Sequence, residues 1–213
     1  MKIFIAAGHG ADDPGAVGSG TNERDETIKI VNGVPPILAK IAPSTAEIVV
    51  VPNDLKLEGE VSYINSNYTN LSEDICLEVH LNSNAGDPGT GTETYYGYQP
   101  LAETMQKVMV QILGLPNRLV KAGNQFYFNK MTKPASAILE LGFINNAADL
   151  VRVQQRGADA VALGIAEYFG WSKTVTVPVT PTAIDWEAKY KDTVAKAGDI
   201  RLKLLAVLND WSL

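Results

Sequence analysis

The stretch Lys2-Ile-Phe-Ile-Ala-Ala-Gly-His-Gly10 is a short apolar run that ends in glycine and histidine. A continuous apolar run of this length, bounded by glycine, is typical of a strand that is covered on both faces. Two further runs have the same design: Ile75-Cys-Leu-Glu-Val-His80 ends in the second of the chain's two histidines, and Ala137-Ile-Leu-Glu140 ends in a carboxylate. The three runs predict buried strands whose carboxyl ends carry chemically useful side chains.

Strand-like and helix-like segments alternate along the first 170 residues. The predicted strands cover residues 2–7, 47–52, 75–80, 92–96 and 135–140. The predicted helices cover residues 23–41, 60–71, 100–114 and 146–170. This alternation predicts an α/β fold in which helices flank both faces of a sheet. In such sheets, functional groups collect beyond the carboxyl ends of the strands.

Composition excludes several classes of function. The 213-residue chain has a formal net charge of −6, which disfavours nucleic acid as its main partner. The single cysteine, Cys76, rules out an internal disulfide. No apolar run approaches the length of a membrane span, so we expect no membrane-spanning segment. Met1 and Lys2 lead directly into the first strand, so we also expect no signal peptide and synthesis in the cytoplasm.

The chain is predicted to divide into a catalytic domain over residues 1–173, a linker over 174–183 and a helical tail over 184–213. The linker is rich in threonine, proline and valine, a composition typical of extended segments. Apolar residues in the tail recur at helical spacings, but the tail is too short to have its own core. It would pack on the first domain, dock on a partner, or pair with a second copy as a homodimer.

Two imidazoles and two carboxylates are predicted to meet at one edge of the sheet: His9, His80, Glu140 and Glu23, the last in a loop that runs into a helix. A catalytic zinc site requires neutral nitrogen and carboxylate ligands, an open position and a spare base. Taken singly, His9 could be a surface-loop histidine. Glu23 could simply be one of three acids that favour a helix N-terminus, with Asp25 and Glu26.

Residues next to the two strand ends are further candidates. Glu140 lies beside apolar leucine and phenylalanine, which should raise its pKa and suits a general base. Strand alternation places Glu78 on the same face as His80, where it would orient the imidazole or remain a partly solvated acid. Asn82 and Asn84 are plausible substrate contacts, although asparagine is also common in turns.

Five segments, in this order, resemble the zinc-dependent N-acetylmuramoyl-L-alanine amidases of the Amidase_3 family. They are Ala7-Gly-His-Gly10, the loop from Gly15 to Glu23, His80-Leu-Asn-Ser-Asn84, Gly91-Thr-Glu-Thr-Tyr-Tyr96 and Glu140-Leu-Gly-Phe-Ile-Asn-Asn146. The resemblance covers about residues 1–170. It differs at Ala6 and Ala7, where the family commonly has Asp-Pro, and at Glu78, where the family usually has a small residue.

The resemblance implies a twisted, largely parallel sheet and one Zn²⁺ per chain, bound by His9, Glu23 and His80. It also implies that Glu140 is the catalytic carboxylate and that the substrate is peptidoglycan, cut between N-acetylmuramic acid and L-alanine. A zinc peptidase that cuts another wall amide, and a non-catalytic wall-binding protein, are the alternatives. Synthesis in the cytoplasm without a signal peptide would suit a phage endolysin that acts after the membrane is breached. It would also suit a cytoplasmic or sporulation-related bacterial enzyme.

Overall fold

A computed structural model describes residues 1–86 and 89–171 of the chain. Its strands, in chain order, are β1 (Lys2–Ala7), β2 (Val17–Gly18), β3 (Thr21–Asn22), β4 (Glu47–Val50), β5 (Ile75–Asn82), β6 (Thr92–Tyr96), β7 (Asn117–Ala122) and β8 (Ala135–Phe143). Its helices are α1 (Glu23–Leu38), α2 (Leu57–Asn67), α3 (Gln99–Leu113), α4 (Tyr127–Met131) and α5 (Ala147–Tyr168).

Six strands form one sheet in the order β4-β1-β5-β8-β6-β7, and β2 pairs with β3 in a small separate hairpin. The neighbours β4, β1, β5 and β8 are all parallel. Strand β6 runs antiparallel to β8, and β7 runs parallel to β6. The predicted α/β fold with a largely parallel sheet is therefore confirmed. The carboxyl ends of β1, β5 and β8 meet at one edge, as the sequence predicted.

Helices cover both faces of this sheet because alternate strand residues point to opposite sides. On one face, Phe4, Cys76 and Ile138 pack with Ile64 of α2 and Phe128 of α4. On the other face lie α1, α3 and α5, which pack against one another and against the strands. His80 follows Cys76 by four residues and Glu140 follows Ile138 by two, so both side chains lie on the first of these faces.

The sequence analysis missed four elements, β2, β3, β7 and α4, and some boundaries differ. Strand β7 lies at the edge of the sheet and is mostly exposed, so it lacks the apolar alternation that marks a half-buried strand. Helix α4 has only five residues, too few to show a helical period. Helix α1 ends at Leu38 rather than residue 41, and α2 begins at Leu57 rather than residue 60.

The predicted linker over 174–183, the helical tail over 184–213 and the homodimer that the tail would form lie outside the described residues. These three features stay predictions. Over residues 1–86 and 89–171, no helix is both long enough and apolar enough to cross a membrane.

Candidate active site

The carboxylate of Glu23 lies between the two imidazoles. Its Oε1 is 2.9 Å from Nδ1 of His80, and its Oε2 is 3.1 Å from Nε2 of His9. The two rings stand nearly perpendicular, with centroids 5.1 Å apart. The structure thus brings together three residues that are separated by 14 and 57 positions in the sequence.

Local backbone geometry brings His9 into this position. His9 has a φ of 63°, in the left-handed region that few non-glycine residues adopt, and it follows the last residue of β1 by two positions. The flanking turn needs glycine because a Cβ on Gly8 would lie 2.4 Å from the His80 ring. A Cβ on Gly15 would lie 2.5 Å from the His9 ring. The glycines therefore allow the close backbone approach that the two rings require.

Glu23 is the first residue of α1, and only 4% of it is exposed. The backbone N–H groups of Ala16 and Leu81 donate hydrogen bonds to its two oxygens. The other acids of this turn point elsewhere: Asp25 pairs with the helix-capping Asn22, and Glu26 pairs with Lys29. Of the three acids, Glu23 is the one that reaches the histidines.

Charge interactions shift the protonation of this cluster. Although burial opposes ionisation of Glu23, hydrogen bonds with His80 and His9 hold its pKa well below the usual range. The hydrogen bond with Glu23 raises the pKa of His9. Burial disfavours the charged form of His80, but the negative charges of Glu78 and Glu23 raise its pKa well above the ordinary value. Glu23 therefore carries a full negative charge at neutral pH.

A second carboxylate contacts the far nitrogen of each imidazole. Asp13 Oδ2 lies 2.9 Å from Nδ1 of His9, and Glu78 Oε2 lies 3.3 Å from Nε2 of His80. Glu78 is only 5% exposed, so it is not the partly solvated acid that was the alternative interpretation. Such contacts fix the tautomer and the orientation of a metal-binding histidine.

The three inner groups are suited to a divalent metal ion. One ligand atom from each of His9, Glu23 and His80 lies within 4.8 Å of the other two. Two imidazole nitrogens and one carboxylate oxygen are the donor set of catalytic zinc sites that keep a fourth position open. The outer nitrogen of each ring already faces Asp13 or Glu78, which leaves the inner nitrogen to face a metal. The residues present fit the ion that the family implies.

Glu140 lies directly across from His80 on the neighbouring strand. Burial, and then the charges of Glu23, Glu93 and Glu78, raise its pKa to about 7, against a lowering by His80. Within the described residues, its buried Oε2 has no hydrogen-bond partner. A carboxylate of this pKa can both accept and donate a proton near neutral pH.

A cavity of about 500 Å³ opens over this group. His9, His80 and Glu140 line its floor, while residues from α2 and from the Phe126–Phe128 segment form its walls. Glu60 of α2 also lines the cavity, and burial together with the charge of Glu78 raises its pKa to about 8. A pocket with convergent polar groups and perturbed acids is a typical substrate site.

The two asparagines proposed as substrate contacts make hydrogen bonds within the protein. Among the described residues, neither Asn82 nor Asn84 lines the cavity. The side chain of Asn82 donates a hydrogen bond to Glu93 Oε1 at 3.0 Å, and the carbonyl of Asn84 accepts one from Asn145. Their role in substrate binding stays a prediction.

Sequence reasoning missed three acids of this region. Asp13 follows His9 by four residues in an irregular loop, so no period places its side chain on the ring. Glu60 reaches the cavity through the packing of α2 on the sheet. Glu93 was quoted only as part of a motif, although it lies directly across from Glu140 on the adjacent strand. The strand alternation around β6 was the one signal that could have placed Glu93 on the same face.

Comparison with known proteins identifies relatives of this chain. It is 32% identical to the uncharacterised protein YqiI of Bacillus subtilis, over 78% of this chain and 84% of YqiI. It is also 32% identical to the N-acetylmuramoyl-L-alanine amidase LytC of Bacillus subtilis, but it spans only 35% of LytC. Its identity to the endolysin of Bacillus phage SPP1 is 27%, over 89% of this chain and 83% of the endolysin.

Solved structures and family models agree with these relatives. The fold matches the catalytic domain of CwlV, an N-acetylmuramoyl-L-alanine amidase from Bacillus (Paenibacillus) polymyxa var. colistinus, with a TM-score of 0.70 and 30% identity. The match covers 80% of this chain and 99% of the CwlV domain. Residues 3–168 match the model of a family described as N-acetylmuramoyl-L-alanine amidase. The chain therefore belongs to the Amidase_3 family of N-acetylmuramoyl-L-alanine amidases.

Proposed function

We propose that this chain is a zinc-dependent peptidoglycan amidase in which His9, Glu23 and His80 hold one metal ion and Glu140 is the general base. Hydrolysis of peptidoglycan at the amide between N-acetylmuramic acid and L-alanine is the activity of its family. The observation that carries the assignment of roles is the single Glu23 carboxylate held between two imidazoles, with Glu140 across from His80 on the neighbouring strand. No other cluster of three metal-binding side chains occurs over residues 1–86 and 89–171.

Each residue has a distinct task in this proposal. Asp13 and Glu78 orient the two imidazoles so that their inner nitrogens face the metal. A bound zinc ion would supply a Lewis acid that polarises the amide carbonyl and lowers the pKa of a water molecule. Glu140 accepts a proton from the attacking water on its carboxylate, as the new C–O bond forms at the lactyl carbonyl.

Glu140 then returns this proton to the departing nitrogen of L-alanine as the C–N bond breaks. The products are a free lactyl carboxylate on the glycan and a peptide with a new amino terminus. A pKa of about 7 suits both proton transfers, because neither protonation state of Glu140 is strongly disfavoured near neutral pH.

Mass spectrometry of peptidoglycan digested with and without a chelator tests the reaction. We expect peptides that begin with L-alanine, intact glycan strands, and loss of both products when zinc is removed. Peptides cut at another amide would instead support a zinc peptidase. Stoichiometric zinc with no product from purified walls would support a non-catalytic wall-binding protein.

We further propose that the chain acts on the wall as an endolysin, after the membrane has been breached. The similarity to the endolysin of phage SPP1 over 89% of the chain supports this role, while the similarity to LytC of Bacillus subtilis supports a bacterial amidase. Expression without added leader should leave Gram-positive host cells intact until chloroform permeabilises their membranes. Lysis without chloroform would contradict the endolysin proposal and leave the chemistry unaffected.

A further inference from the structure

Two cations share one buried carboxylate at the end of the sheet next to Glu140. Arg118 Nε lies 2.7 Å and Lys121 Nζ lies 2.6 Å from the same oxygen, Oε2 of Glu93. Glu93 is 2% exposed, whereas the two cationic side chains are 39% and 40% exposed. Their hydrogen bonds hold the pKa of Glu93 below its usual range although burial opposes ionisation. The three groups therefore carry a net charge of +1, and their positive side faces solvent.

A β-bulge in β7 places both cations on the same face. Asn117 lies opposite Thr92 and Val120 lies opposite Thr94, so β7 has one residue more than β6 over this interval. In a regular strand, residues three apart point to opposite faces, and Arg118 and Lys121 would be separated by the sheet. The extra residue directs both side chains over Glu93. Bulges of this kind commonly re-aim side chains beside active sites.

Leu119 bears the conformational cost of this bulge. Its φ of 74° lies in the left-handed region, and its side chain is 64% exposed, so it gains little from packing. The backbone N–H of Leu119 donates to Oδ1 of Asn117, which also accepts a hydrogen bond from Gln106 of α3. Backbone strain that is held by dedicated hydrogen bonds is typical of functional sites.

The position of these cations relative to Glu140 is defined by the sheet. Glu93 lies opposite Glu140, and β7 is the second strand from β8. Adjacent strands are about 4.8 Å apart, which places the Arg118–Lys121 pair roughly 10 Å from Glu140 along the sheet. Tyr95 connects the cavity with the cationic pair. It lines the cavity, donates a hydrogen bond to Glu93, and has its ring centroid 5.6 Å from Lys121 Nζ.

We propose that the Arg118–Lys121 pair binds a carboxylate of the peptide stem, one residue beyond the L-alanine whose amide is cut. This inference rests on the proposed amidase function. Two residues of extended peptide span roughly 7 Å, and the flexible cationic side chains reach across the remaining distance. Arginine offers a planar fork of donors that matches a carboxylate, and lysine adds a point charge.

The charge distribution around the cavity favours this assignment. Four acids, Asp12, Asp13, Glu58 and Glu78, line the cavity on the side away from β7 and disfavour an anion there. Lys56, the lysine of this lining, pairs with Asp12, so the Arg118–Lys121 pair at the β7 edge gives an acidic peptide its favourable direction. The peptide would then extend from Glu140 towards β7, with the glycan on the opposite side.

Two muramoyl tripeptides that differ in one functional group test the proposal. One contains N-acetylmuramoyl-L-Ala-γ-D-Glu-L-Lys, and the other has D-isoglutamine in place of D-glutamate, so that a carboxamide replaces the carboxylate. We expect the zinc-loaded full chain to favour the carboxylate in kcat/KM by about tenfold, the size expected for one partly exposed charged hydrogen bond. Arg118→Gln and Lys121→Gln should each reduce this ratio towards one.

Two further variants distinguish a role of the cationic pair in carboxylate binding from a role in maintaining the fold. Lys121→Arg keeps the charge and should keep the ratio. Lys107→Gln removes an exposed lysine on α3 that pairs with Glu167, and it should also leave the ratio unchanged. An unaltered ratio in both glutamine variants, or no preference in the parent protein, overturns the proposal. A merely structural role would change the turnover of the two substrates equally.

Binding of the cleaved peptides gives a readout that does not depend on catalysis. The peptide with free D-glutamate should bind the full chain more tightly in calorimetry than its isoglutamine counterpart, and Lys121→Gln should abolish this difference. Carboxylate-dependent binding without cleavage of either substrate would contradict the amidase function but support the subsite. Equal affinity of the two peptides overturns the subsite whether or not cleavage occurs.

Discussion

Replacing Glu140 by glutamine should abolish activity while stabilising the fold above neutral pH. Glu140 is half-buried beside His80, and its ionised form is opposed by desolvation and by the negative charges of Glu23, Glu93 and Glu78. Glutamine keeps the shape of the side chain and removes its charge. The metal-binding residues are untouched, so zinc content should remain near one ion per chain while turnover falls by about 100- to 10 000-fold.

The size of the stabilisation follows from the pKa of Glu140. The folded protein raises this pKa from an ordinary value of 4.5 to about 7. Since one pKa unit corresponds to about 1.4 kcal/mol, ionised Glu140 destabilises the metal-free fold by roughly 3 kcal/mol. Because the carboxyl pKa is raised, the free energy of unfolding decreases as the pH rises from the pKa of the unfolded chain to the pKa of the folded protein. Because Glu140 is partly exposed, solvent screens its charge, and the free energy of unfolding should change by only about 2 kcal/mol between pH 5 and pH 8.5.

Urea unfolding with excess chelator measures this change, because a bound metal would itself alter the charge balance. The free energy of unfolding of Glu140→Gln should exceed that of the parent by about 2 kcal/mol more at pH 8.5 than at pH 5. Glu103→Gln, at an exposed position of α3, should give a pH-independent difference near zero. A constant difference for Glu140→Gln would refute the electrostatic reasoning, and normal turnover by this variant would refute the assignment of the base.

Three further substitutions test the metal centre and the fold. Glu23→Ala should reduce zinc well below one ion per chain in elemental analysis, since both imidazoles lose the carboxylate between them; stoichiometric zinc would exclude Glu23 as a ligand. Gly8→Ala should weaken zinc binding by about tenfold because its Cβ would lie 2.4 Å from the His80 ring, whereas Gly59→Ala, with a nearest atom at 3.4 Å, should not. Asp74→Asn should lower the free energy of unfolding by about 2 kcal/mol at pH 7, because three backbone N–H groups donate to this buried carboxylate. Although burial opposes ionisation, these bonds lower the pKa of Asp74, so its contribution should be lost in urea melts as pH falls below about 4; a difference that persists in acid would contradict this.

The sequence predicts the parts of the site that depend on strand direction and strand alternation. Parallel strands that end in His9, His80 and Glu140 must bring these residues to one edge, and the structure places them there. Alternation along β5 likewise predicted that Glu78 and His80 share a face, and in the structure their side chains are in contact. Both inferences need only the period of a strand and the rule that parallel carboxyl ends meet.

The parts that the sequence did not predict depend on where separate elements pack. Glu60 reaches the cavity from α2, whose orientation is set by apolar contacts of Val61 and Ile64 rather than by any pattern around Glu60. Asp13 reaches His9 through an irregular loop in which Ala11 also has a positive φ. No period describes such a loop, so its side-chain directions come only from the folded backbone.

The bulge of β7 shows how an irregular backbone can hide the shared role of two residues from sequence analysis. A regular strand would predict that Arg118 and Lys121 lie on opposite faces, and the sequence alone would assign them no common role. One inserted residue, which lets Asn117 pair with Thr92 and Val120 with Thr94, reverses that conclusion. The signal in the sequence is weak because Leu119, at a positive φ, is a residue type that rarely adopts this conformation. Because a single bulge inverts the face of every later residue in a strand, edge strands beside an active site carry specificity that the period of the sequence cannot reveal.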